Sequence, residues 1–123
     1  MAVISAPTAP THAIDHARFT ALATPSRGSA ETSVWRVELA SGAPATPHRL
    51  TREEVWVLLD GQADVSLDGQ TSRANTGDAI VVPPGTEFAI TAVGVEPLHA
   101  VCLPVGGQGQ IGDGDPFAPD WVR

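Results

Sequence analysis

The stretch "PHRLTREEVWVLLDG", residues 47–61, decides how the rest of the chain is read. His48 comes first, Leu50 follows two residues on, and Glu54 follows four after that; Trp56 and Leu58 carry the alternation toward Asp60-Gly61. Along a strand alternate side chains share a face. His48 and Leu50 therefore point one way together, and so do Glu54, Trp56 and Leu58. The Val, Trp and Leu residues around them favour a half-buried pleated surface. The stretch thus strings an imidazole and a carboxylate among apolar side chains.

Working outward, "RFTALAT" (18–24) and "TSVWRVELA" (32–40) alternate in the same manner and read as strands, and the Gly- and Pro-punctuated "ASGAPATPH" (40–48) reads as a loop. Downstream, "ADVSL" (63–67) ends at Asp68-Gly69 and "DAIVV" (78–82) ends at Pro83-Pro84-Gly85. "EFAITAV" (87–93) and "PLHAVCLPV" (97–105) flank Gly94. Asp-Gly between apolar alternations predicts hairpins, here at Asp60-Gly61 and again at Asp68-Gly69. A third hairpin is expected around Gly94, pairing the strand of Phe88 with that of His99 and Cys102. Short strands at this spacing, with no amphipathic helix between them, predict an all-β sandwich or barrel. Residues 1–16 read as an extended N-terminal arm, either laid across a partner subunit or frayed, and residues 17–123 as one domain. In the Gly/Asp-rich tail, residues 106–123, Phe117 and Trp121 are the candidate anchors.

Composition removes several functions. Of 123 residues, 42% are hydrophobic and 17% charged, which suits a folded globular chain. Seven Arg, no Lys and fourteen acidic residues give a net charge of −7, so nucleic acid is not an expected partner. Without Lys there is no Schiff-base chemistry, and without Tyr no phenol to transfer protons. A single cysteine, Cys102, forms no internal disulfide and fits a reducing compartment. No apolar run reaches the length of a membrane span, and the first residues lack the basic start and apolar stretch of a signal peptide. A cytoplasmic protein is expected.

Two stretches also have internal spacing that matches a known pattern. Gly42, His48, Leu50, Glu54 and Gly61 form the first; Gly77-Asp78, Pro83, Gly85 and Phe88 form the second. Together they resemble the two motifs of the cupin superfamily, motif 1 at 42–61 and motif 2 at 77–91, across about residues 31–105. The resemblance implies a single double-stranded β-helix, or jelly-roll, barrel. It also implies a metal site of two His and a Glu from the first motif and a His from the second. Carried over residue by residue, His48 and Glu54 match, while Leu50 and Phe88 stand at the other two positions and offer no lone pair. No cofactor is therefore expected. Were a divalent metal held, its ligands would be His48 and Glu54 with His99 or Cys102. The three-residue spacing of these last two puts them on opposite faces, so at most one points inward, and the sequence does not settle which.

The pocket expected inside the barrel has Leu50, Trp56, Leu58 and Phe88 as walls, His99 and Cys102 as candidates from the last strand, and His48 and Glu54 as its polar groups. Its guest is expected to be a small apolar ligand. His48 and Glu54 read as an acid–base pair for an isomerase, cyclase or lyase acting on a carbonyl-type substrate. The bland alternative has them bonded to each other or to a buried water. A non-catalytic sensor and a dioxygenase-like enzyme with rearranged metal ligands are the other two readings. His12 and His16, in the arm, are expected to be solvated. The resemblance further implies a homodimer, since many small cupins pair through their outer sheet and terminal arms.

Overall fold

The computed structural model describes residues 2–123, and among these described residues alternating Phe, Trp, Val and Leu side chains build nine strands. They are β1 (His12–Ile14), β2 (Ala17–Ala23), β3 (Thr32–Leu39), β4 (Arg49–Leu50), β5 (Glu54–Leu67), β6 (Gln70–Asn75), β7 (Ala79–Val82), β8 (Phe88–Pro104) and β9 (Gly109–Gln110). The only helical turns among the described residues are single 3₁₀ turns at Pro25–Arg27 and Asp120–Val122. None is long and apolar enough to cross a membrane.

All pairings are antiparallel, in the order β1-β2-β3-β8-β5-β6, with β7 also on β5 and a separate β4–β9 pair. This is the all-β jelly-roll architecture the motifs imply. Strand β5 is its spine: Glu54–Val57 pair with β7, Gln62–Leu67 pair with β6, and both halves pair with β8. Inward side chains from both halves close one core around Phe19, Trp35, Val37, Leu58, Phe88 and Val101.

Two of the three expected hairpins are corrected. Asp60-Gly61 does not turn the chain: β5 runs through it with register shifts at Leu58/Asp60 and Asp60/Gln62. Gly61 has φ +95°, and a Cβ there would lie 3.0 Å from the Pro97 Cα on β8, so the position is a bulge pressed against its neighbour. Nor does Gly94 make a hairpin, because Phe88–Pro104 is one continuous strand whose two halves pair with β5 and not with each other. Asp68-Gly69 does form a turn, with φ +47° and +84° between the partners Leu67 and Gln70.

The termini close on the barrel. Within the first sixteen residues, β1 joins the sheet through His12↔Phe19, and the Thr11 amide donates to the Phe19 carbonyl. At the other end Trp121 stacks on Phe19, ring centroids 3.7 Å apart and planes within 8°. The Ser33 hydroxyl donates to the Val122 carbonyl at 2.6 Å, and Ser26 to that of Arg123 at 2.7 Å.

Candidate functional site

A cavity of about 270 Å³ opens inside the barrel. Strands β2 and β3 give it Phe19, Trp35 and Val37; β4 and β5 give Leu50, Glu54 and Trp56; Phe88 comes from β8, and His48 from the segment before β4.

Glu54 starts β5 facing inward and is only 3% exposed. Trp56, two residues on and therefore on the same face, donates its indole N–H to Oε1 at 2.5 Å. Among the described residues nothing donates to Oε2. Burial raises the carboxyl from 4.5 to about 7, against the lowering effect of the Trp56 hydrogen bond.

His48 is tied through its backbone to Phe88, N–H to carbonyl at 3.0 Å and the reciprocal bond at 2.9 Å. Its ring lies 4.1 Å from the Phe88 ring. Nδ1 sits 2.9 Å from the Thr46 carbonyl, which can only accept. Nδ1 therefore carries the proton and Nε2 the lone pair. Burial lowers the imidazole's proton affinity, with the Thr46 carbonyl opposing. His48 and Glu54 make no hydrogen bond to each other among the described residues; each has its own partner.

On β8, His99 faces inward with Val101 and Leu103 while Cys102 faces outward beside Val34 and Val55. His99 is fully buried, edge-on to Trp56 with ring centroids 5.1 Å apart, and neither ring nitrogen has a partner among the described residues. Burial alone drives it down to about 4. The Cys102 thiol is raised by burial and by the charge of Glu54.

Of the eight residues expected at the pocket, His48, Leu50, Glu54, Trp56 and Phe88 line the cavity. Leu58, His99 and Cys102 do not. Leu58 and His99 are register partners packed into solid core, and it is the Trp56 indole against His99 that meets the cavity. Cys102 points through the other face of the sheet. The termini add walls that local periodicity does not reveal: Ile14 and His16 from the arm, and Phe117, Pro119 and Trp121 from the tail. Only the aromatic residues of the tail gave a signal. His16, expected to be solvated, is exposed but stands at the cavity wall.

Among the described residues no three His, Cys, Asp or Glu side chains come together as a metal would need. The four-ligand set that the motifs imply does not fit: two of its positions are hydrocarbon, one oxygen of Glu54 is occupied by Trp56, and His99 is walled off by the same indole.

Several proteins are similar to this chain. KdgF from Halomonas sp. superposes with a TM-score of 0.69 at 22% identity, covering 77% of this chain and 84% of that one. The polyketide cyclase RemF from Streptomyces resistomycificus gives 0.71 at 19% identity, covering 95% and 82%. Salicylate 1,2-dioxygenase from Pseudoaminobacter salicylatoxidans gives 0.71 at 15%, covering 85% of this chain but 31% of that one. These likenesses carry the fold alone. The uncharacterized protein MJ1618 of Methanocaldococcus jannaschii is 35% identical over 52 residues, which is 42% of either chain, so the match spans less than half of that relative. The family model described as "Cupin domain" matches residues 35–104, from Trp35 in β3 to the last residue of β8. With the two motifs, the barrel and this match in agreement over more than half of its length, the chain belongs to the cupin domain family.

Proposed function

We propose that the barrel is a binding chamber for a small, mostly apolar molecule, works without a resident metal, and uses Glu54 and His48 as the groups that act on its guest. The observation that carries this reading is the Glu54 carboxyl: buried in an aromatic and aliphatic cavity, anchored by one oxygen, with no donor to the other among the described residues. An apolar cavity of about 150 Å³ takes benzene. One of about 270 Å³ takes a molecule of one ring with substituents. A carboxyl near 7 exchanges its proton at neutral pH, and Nε2 of a neutral His48 accepts one. Facing a carbonyl with an acidic neighbouring C–H, such groups support isomerisation, cyclisation or elimination. The fold itself houses a cyclase and a dioxygenase, so it does not choose among chemistries; the donors in the cavity do.

Elemental analysis of protein grown with iron, manganese, nickel, zinc and copper should find far less than one metal per chain. Near-stoichiometric metal lost on His48→Ala sinks the metal-free reading. Saturable binding of small ring compounds, detected by NMR shifts at the lining residues, is expected to follow. Once a guest is known, unchanged turnover in Glu54→Gln removes the acid–base role, and a guest recovered chemically unchanged makes the chamber a sensor.

The same proposal includes a homodimer. The outward face of the sheet, which in a one-sided antiparallel sheet is ordinarily polar, here has Val34, Cys102, Val55 and Val81 as successive register partners across four strands. Ala100, Val57 and Ala79 form the next row beside Arg36. A second copy of the chain is the proposed cover, and the cytoplasm, where a lone thiol stays reduced, the proposed setting.

A further inference from the structure

All three Trp and all three Phe of the chain line this one cavity, and there is no Tyr. None of the seven Arg lines it, and there is no Lys to do so. The ion pairs among the described residues are partly exposed ones, and none includes Glu54. The titratable groups around that carboxyl supply no fixed positive charge. His48, before β4, is held with its proton on Nδ1; His16 is at the wall; on β8, His99 is walled off behind Trp56 and Cys102 faces out. Glu54 is thus a buried acid, nine-tenths or more out of water, with Oε2 unpartnered and no counter-cation among the described residues.

A buried carboxylate without a counter-charge is unfavourable, and a purely hydrocarbon guest gives it no reason to be there. An anionic guest would meet the same charge and neither Arg nor Lys. Aromatic rings, in contrast, attract cations over their faces, most strongly when water is excluded. Resting on the chamber reading above, we propose that the guest is an organic cation with an apolar skirt, of the quaternary or tertiary ammonium class, with the Trp and Phe rings around its methyl groups and the Glu54 carboxylate as its counterion. The net charge of −7 favours the approach of such a molecule. The cavity accommodates a trimethylammonium head with a short chain or a ring attached.

The test compares choline with 3,3-dimethylbutan-1-ol, the neutral molecule in which carbon replaces the ammonium nitrogen, by titration calorimetry and NMR at mildly alkaline pH. Choline is expected to bind at least about tenfold more tightly, with shifts at the cavity residues. In Glu54→Gln, which removes an uncompensated buried acid and so should fold, the preference is expected to disappear. In Trp121→Leu, choline should weaken more than the alcohol. Equal or tighter binding of the alcohol by the wild type overturns the cation assignment and leaves the apolar chamber standing. Binding of neither overturns the cation assignment, and the titrations with ring compounds decide the chamber separately. A preference for choline that survives Glu54→Gln overturns the carboxylate as counterion.

Discussion

Glu54 accepts the Trp56 N–H, and the His99 ring stands edge-on to that same indole. The two buried groups oppose each other in their effect on stability with pH. Glu54 titrates near 7 in the folded chain against an ordinary 4.5, so between those values the native state keeps a proton that the unfolded chain has lost. Its contribution is present at low pH and falls as pH rises to 7. His99 titrates near 4 against an ordinary 6.5, so between those values the unfolded chain takes up a proton that the native state refuses. Its contribution is full above 6.5 and falls as pH drops to 4, and His48, also lowered, adds to that side. The Glu54 and His99 contributions amount to about 3 kcal/mol apiece, and in the wild type these two nearly cancel between pH 4.5 and 6.5. Glu54→Gln should therefore show stability climbing by about 3 kcal/mol from pH 4 to 6.5, and His99→Leu a fall of similar size from pH 4.5 to 7. Urea unfolding across that range checks both, and a variant as flat as the wild type would refute the assignment of its group. The inward direction of His48 and Glu54 was legible because strand parity is local. That of His99 was not, since it depends on how β8 registers on β5.

One dipeptide, Asp-Gly, does two different things along β5. At Asp68-Gly69 the chain reverses and nothing lies within 4 Å of where a Gly69 Cβ would stand. At Asp60-Gly61 it continues, because residues on both sides bond to the same strand, β8, and Pro97 presses on the glycine from across the pair. Local turn chemistry is identical at the two sites; the long-range partner decides, and a sequence shows no partners. Gly94 is the same lesson on β8, where a positive φ of +72° bends a strand without ending it. The two Asp-Gly sites should separate under mutation. Gly69→Ala meets only the backbone strain, about 1 kcal/mol. Gly61→Ala meets that strain and the Pro97 backbone, and should cost about 3 kcal/mol. Denaturant midpoints of the two variants measure the difference, and equal losses would mean that β5 and β8 separate freely at the bulge.

The family's spacing made the barrel legible from residue 31 to 105, but the closure of the cavity by both termini lay outside it. Contacts such as Ser33 to Val122 and Phe19 to Trp121 join segments about a hundred residues apart, and no local pattern encodes them. The outer face is the reverse case. The same alternation that buries Trp35, Trp56, Val101 and Ile80 turns Val34, Val55, Cys102 and Val81 outward, so an apolar inner row is matched by an apolar outer one. A sheet meant for water on that side would alternate with polar residues. Val81, 51% exposed in the single chain, is the residue to change. A charge there scarcely affects the folded monomer but is expensive if desolvated between two copies. Light scattering of the wild type at micromolar concentration should give twice the chain mass, and Val81→Glu should give the chain mass with an unchanged melting profile at high dilution. A wild type that runs as a monomer removes the dimer. A Val81→Glu variant that stays dimeric moves the interface off this face, toward the arm and tail that close the cavity.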